Sequence, residues 1–274
     1  MTLVRTAPPA QRTASGETLS GPGAVVLIRL TGIAAILLLW YLLGVFGVLH
    51  TSSIPTLGST LTALGSAAVH TPFWLAVWHT IEGWAIGLVI GSVAGVLLGS
   101  LLALSRVAER SCTVVVEFFK TVPVVAVLPL AVLVLGTTLK MKILLVAFGV
   151  TWPLLVQTMY GVKALDPVIR DTATVIGVGR LRRFFGVVMP SAAPYIATGL
   201  RVAAAGALIL TIVTELIVGG AGLGVEITTA AISGTEAIPT MYAYILAAGA
   251  LGIAVTLLFS AAERRLLRWH EAYR

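Results

Sequence analysis

The sequence predicts an all-α membrane protein of about six transmembrane helices. Composition is the first reason. Of 274 residues, 58% are hydrophobic and 11% charged, too little charge to cover the surface of a water-soluble domain this large. The second reason is that the apolar residues fall in long runs, close to the roughly 20 that a helix needs to cross a bilayer. The third is that the basic residues collect in alternate connections between those runs. A bundle of such spans folds as one domain.

Residues 1–23 are rich in Pro, Ser, Thr and Gly and carry Arg5 and Arg12, which reads as a disordered tail. The apolar run that follows is too long for a signal peptide and lacks a clear small-residue cleavage site. Spans are expected at 24–49, 79–104, 122–139, 143–160, 194–218 and 241–262, the third and fourth near the short limit. Trp74, Trp78 and Trp84 surround the start of the second span as an interfacial aromatic belt. Within that span Gly83, Gly87, Gly91, Gly95 and Gly99 recur every four residues. They form one stripe on a helix, where a neighbour approaches closely, inside one subunit or across a dimer. Residues 263–274 read as an amphipathic tail.

Ionisable groups inside spans are costly and often functional. Glu82 falls early in the second span, at an interfacial position, and Glu215 late in the fifth. Glu215 either lines a translocation pathway or makes a structural hydrogen bond. Thr211, Thr214 and Gln157 join it as candidate pathway residues. Arg201 either snorkels to the near surface or pairs with an acid of a neighbouring span.

With the N-terminus inside, the inner segments hold 16 of the 18 Lys and Arg residues, and the outer side holds Lys140 and Lys142. The positive-inside rule then places both termini in the cytoplasm. This distribution accounts for the net charge of +7 without nucleic acid. Lys140 and Lys142 either draw in an anionic solute or anchor a short external turn. The single cysteine, Cys112, excludes an intrachain disulfide and a multi-thiolate metal site.

The segment 161–193 is charged and lies between apolar runs, on the inner side. Asp166-Pro167 is a helix start, because Asp accepts from free backbone N–H groups and Pro at the first helical position loses no needed donor. A short helix over 168–176 ends at Gly177, which can adopt the left-handed conformation. A second helix over 179–188 places Leu181, Phe184, Phe185 and Val188 on one face, and Pro190 ends the unit. Read on this pattern alone, the second helix can lie on a membrane surface or seat in a partner.

Asp171, Thr172 and Ala173, then Gly177, then Val187 with Met189-Pro190 keep the spacing E-A-A-x3-G-x9-I-x-L-P throughout. This resembles the coupling loop of the permease subunits of type I ABC importers, with Asp in place of Glu, Thr for the first Ala, and Val and Met for Ile and Leu. The resemblance assigns docking of an ATPase to Asp171, Ala173 and Gly177, and Arg180, Arg183 and Pro190 belong to the same loop. It extends over about 74–270 and is similar to the nitrate, sulfonate and taurine branch. Lys120-Thr121-Val122-Pro123, Gly161-Val162-Lys163, Thr198-Gly199-Leu200-Arg201 and Thr214-Glu215-Leu216-Ile217 fall in that branch's order. The resemblance implies a bacterial inner-membrane homodimer and two cytoplasmic ATP-binding subunits that carry ATP and Mg. It also implies an external binding protein that delivers a small anionic or polar solute. The chain itself has no G-x-x-x-x-G-K-[ST] motif, so no cofactor and no enzymatic activity are expected of it.

Two other classes compete. A secondary transporter or channel driven by an ion gradient usually carries charged groups at mid-membrane, and few stand there. An intramembrane enzyme needs a nucleophile–base pair or metal ligands within the spans. His50, His70, His79 and His270 lie at span edges or outside. The Gly219–Gly224 stretch reads as a flexible external loop rather than a phosphate loop.

Overall fold

The computed structural model of the chain describes residues 22–46 and 54–268. Most of the expected N-terminal tail (1–21) and the last six residues of the expected C-terminal tail lie outside the described residues. The chain divides into two units, 1–50 and 51–274. In the first, α1 (Pro22–Val45) is a 24-residue helix, about 36 Å long at 1.5 Å per residue. Its apolar stretch 34–45 occupies the place of the first expected span.

The second unit runs α2 (Leu57–Val69), α3 (Thr71–Leu104), α4 (Arg106–Thr121), α5 (Val124–Leu135), α6 (Leu139–Lys163), α7 (Pro167–Val175), α8 (Arg180–Arg183), α9 (Met189–Val218), α10 (Leu223–Ile232) and α11 (Ile238–Leu266). Among the described residues there is no strand. α3, α6, α9 and α11 lie in stretches long and apolar enough to cross a bilayer.

The third expected span, 122–139, is corrected. It is not one straight crossing. α5 has 12 residues, about 18 Å, and is the second arm of a pair with α4 that bends by 86°. The cause is Pro123: the residue before a proline is pushed out of the helical region, and Val122 sits at ψ 120. Gly136, at φ +65, ends the arm. The fourth expected span is longer than its apolar run, because Thr138 caps α6 by accepting from Met141 N at 3.4 Å.

The glycine stripe explains how α3 and α6 meet. All five glycines are buried. A Cβ on Gly91 would lie 2.6 Å from Ala147 O, and one on Gly95 would lie 2.8 Å from Thr151 O. Lipid offers no hydrophobic force between helices, so this backbone-to-backbone approach supplies attraction by dispersion. α9 joins with small residues of its own: Ala203, Ala204 and Ala207 pack with Leu88, Val146 and Val150.

Trp84 belongs to that core rather than to an interfacial belt. It is buried, its Nε1 donates to Ala204 O at 2.9 Å, and its ring meets Phe259 edge-on. Trp74 and Trp78 are exposed. Arg201 on α9 pairs with the buried Glu263 of α11, Nε to Oε2 3.2 Å, and Thr198 Oγ1 donates to the other carboxylate oxygen at 2.9 Å. Residues 263–266, expected in the C-terminal tail, are the last turn of α11.

Candidate functional site

Two polar assemblies stand at opposite ends of α9. The first is the connection from α6 to α9. Asp166 caps α7, its carboxylate accepting from Val168 N at 2.8 Å, with Pro167 in the first turn. α7 closes at Gly177, which adopts φ +76. There Gly177 N donates to Thr174 O and Val178 N to Ala173 O, so the last carbonyls of the helix are answered. Open space surrounds the position where a Gly177 Cβ would stand. Ala173 is buried, whereas Asp171 and Arg180 are exposed. Arg183 reaches back across the turn and donates to Thr174 Oγ1.

The second helix of this loop differs from expectation. α8 has only four residues and passes directly into a π segment, Phe184–Val188, and then into α9. Pro190 does not end the unit. It lies in the first turn of α9, just after Met189 N has bonded to Phe184 O across the π turn. The extra residue of a π turn makes room for a ring that lacks a donor. The expected apolar face is divided. Val188 is buried with Val162, Leu165 and Ala192, and Phe184 packs on them. Leu181 and Phe185 are 75% and 64% exposed, beside the exposed Val175 and Ile176. The loop is thus bolted to the bundle by its inner half and presents apolar and charged groups on its outer half.

At the far end of α9, Glu215 is fully buried. Lys142 Nζ lies 2.6 Å from its Oε1 and also donates to Ala221 O at 2.8 Å. Thr80 Oγ1 donates to Oε2 at 2.9 Å and accepts from Leu223 N at 2.8 Å. Gly224 N donates to Oε2 at 3.0 Å. One carboxylate therefore ties α3, α6 and α9 to the first turn of α10. Gly219, Gly220 and Gly222 all have positive φ and turn the chain from α9 into α10. A Cβ on Gly222 would collide with the Glu215 carboxylate. The flexible loop expected at 219–224 is instead a fixed turn.

Lys142 is corrected as well: it is buried and committed to Glu215, whereas Lys140 is exposed. α6 begins at Leu139, and helix phase turns 142 inward and 140 outward. Thr211 and Thr214 are buried, their hydroxyls donating to Ala207 O and Leu210 O of their own helix. Gln157 packs over Gly199 between α6 and α9. In this conformation Thr211, Thr214 and Glu215 face the interior of the chain. The Lys142–Glu215 pairing escaped sequence reasoning. Its one signal was an acid and a base near the same end of neighbouring spans.

Residues 91–268 match the family profile described as the binding-protein-dependent transport system inner membrane component. The chain belongs to this family. It is the membrane-spanning permease component of an ABC import system. The permease is 28% identical over 254 residues to a probable ABC transporter permease of Brucella abortus (strain 2308), covering 92% of this chain and 98% of the relative. It is 27% identical to the putative aliphatic sulfonates transport permease SsuC of Bacillus subtilis (strain 168), over 88% of this chain and 86% of the other. It is also 27% identical to the nitrate import permease NrtB of Leptolyngbya laminosa, over 63% and 61%. Among solved structures, the permease fold is similar to a chain of a bacterial ABC transporter that imports the acidic polysaccharide alginate. That match has a TM-score of 0.63 at 14% identity and covers 88% of this chain and 95% of the other. The inward-facing MetNI methionine transporter gives 0.59 at 19%, over 71% and 95%.

Proposed function

We propose that this permease works as a pair of identical copies, with the end that carries α7 and α8 in the cytoplasm. An ATP-binding subunit, holding ATP and Mg, seats on each copy's loop through Asp171, Ala173, Gly177, Arg180, Arg183 and Pro190. An external binding protein delivers a small anionic solute at the Glu215 end. The observation that carries this reading is the loop itself: rigidly capped, anchored by Val188 among Val162, Leu165 and Ala192, yet exposing Leu181, Phe185 and Asp171. The placement of 16 of 18 basic residues on one side supports the orientation.

The mechanics follow from continuity. From Arg180 the chain runs through the π segment into α9 without a break, and α9 alone is 30 residues, about 45 Å. A push on α8 when two ATP-binding subunits close is delivered along α9 to its far end. There α9, α10, α3 and α6 move together, because one carboxylate holds them. Parting of the two copies then opens a path between them. The half-buried Gln157 is the polar side chain there that a passing solute meets, and Thr211, Thr214 and Glu215 brace the pathway wall from inside each chain.

The solute class is a small oxyanion. The relatives named for sulfonates and for nitrate support it. The experiment is uptake into proteoliposomes with the ATP-binding subunit and binding protein supplied, using an alkanesulfonate, taurine and nitrate in turn. ATP-dependent accumulation of one of them is expected. Full accumulation by the permease alone, with no ATP-binding subunit, overturns the reading.

A further inference from the structure

Near the α7 end, a cavity of about 600 Å³ opens between the end of α3, the first turns of α4, the end of α6 and α7. Arg106, Arg110, Lys163 and Arg170 line it, and Glu109 is its one acidic residue. Glu109 is already neutralised by an ion pair with Lys163. Arg106, Arg110 and Arg170 therefore put three positive charges in one cavity, with no ion pair to any of them among the described residues. Guanidinium groups in that arrangement suit a tetrahedral oxyanion, which they meet with paired N–H donors.

The same cavity also has apolar lining. Leu104, Val162 and Leu165 are the apolar side chains that line it, with Ala103. Beside it, Leu101 and Val107 are 63% and 76% exposed, on the last turn of a membrane-crossing helix and the first turn of α4. Guanidinium groups sharing a cavity with apolar side chains, next in sequence to exposed apolar groups at the end of a membrane-crossing helix, are the form of a headgroup site at a membrane boundary. We propose that this cavity holds the phosphate of an acidic phospholipid, with one acyl chain running over Leu101 and Val107. The lipid then bridges α4 to α7, so its presence stiffens the support of the docking loop. The proposal needs only the membrane embedding of α3 and holds whichever way the loop faces.

The test is native mass spectrometry of the full-length permease, with and without its ATP-binding subunits, released from nanodiscs. The discs contain phosphatidylcholine alone or with phosphatidylglycerol. A retained phosphatidylglycerol adduct is expected for the native chain. Arg106→Gln/Arg110→Gln should weaken retention roughly 30-fold, and Arg106→Lys/Arg110→Lys should lose less, because the charge survives although the paired donors do not. Thermal unfolding in phosphatidylcholine discs should be alike for all three. If the double variant unfolds, Arg110→Gln alone replaces it, with a loss of roughly fivefold expected. No adduct, or an adduct equally strong in the Gln variant, overturns the proposal. So does displacement of the lipid by millimolar inorganic phosphate, which assigns the site to a soluble anion.

Discussion

The two ends of α9 handle their polar groups in opposite ways. At the Glu215 end, four elements surround one carboxylate, and the ammonium, hydroxyl and amide groups around it are answered within the chain. At the α8 end, Asp171 and Arg180 stand on the surface beside Val175, Ile176, Leu181 and Phe185. The first is a joint that completes itself. The second leaves a mixed polar and apolar face open, which is what a docking surface looks like before its partner arrives. Stability should therefore reside at one end and partner recognition at the other. Mutations can test that division.

The largest effect is expected at the joint. Lys142→Met leaves the Glu215 carboxylate buried without its counter-charge, a change that costs about 3–5 kcal/mol. The variant should unfold at markedly lower temperature in detergent and fail to assemble. Lys142→Met/Glu215→Leu removes both charges and should recover most of the loss, since apolar groups of similar volume often replace a buried pair without penalty. If the single variant melts like the native chain, the joint is not closed. Gly91→Leu comes next. Its side chain would meet the Ala147 carbonyl, which is backbone and cannot yield cheaply. Overpacking should cost about 3 kcal/mol and reduce the yield of assembled transporter, measured by size-exclusion chromatography.

The two ends were unequally legible in the sequence. The loop from α7 to α8 depends on local chemistry, so Asp166-Pro167 and Gly177 announced its caps, and the structure has both. The joint depends on contacts across 73 and 135 residues, which no local pattern carries. Lys140 and Lys142 looked alike until the start of α6 set the helix phase. The bend at Pro123 was hidden because the expected span begins at 122, which puts Pro123 in a first turn, where proline is tolerated and signals no break. α10 received no assignment because its ten residues, Glu226, Thr228 and Thr229 among them, are too short and too polar for a span, and packing on α9 and α11 forms the helix. Pro190 read as a stop because the π turn that accommodates it leaves no compositional mark.

At the open end the effects on stability should be small and those on partnership large. Gly177→Ala forces a side chain into a left-handed conformation, at roughly 1–2 kcal/mol, but meets no neighbour. The bundle should stay folded, with a thermal midpoint near that of the native chain. Recruitment of the ATP-binding subunit, read by co-purification, should drop because α7 no longer ends where it does. A variant that instead loses the whole fold would mean that the loop supports the bundle, contrary to the division drawn here.

The smallest effect on stability is expected from Arg183→Gln. The Arg183 guanidinium donates to Thr174 Oγ1, and that hydroxyl donates in turn to Arg170 O at 2.9 Å. This relay braces α8 against α7 over the Gly177 turn. An exposed bond of this kind contributes about 1 kcal/mol or less, so unfolding should hardly change. What should change is the stiffness of the loop. Amide exchange over 167–183 should quicken, and the solute moved per ATP hydrolysed should fall. Thr174→Val removes the other partner of the relay. If bracing is what matters, it should reproduce the same defect, and the double variant should be no worse than either single one. If Arg183→Gln uncouples transport while Thr174→Val does not, Arg183 acts by touching the ATP-binding subunit directly. The open end would then owe its function to charge presented outward rather than to a rigid turn.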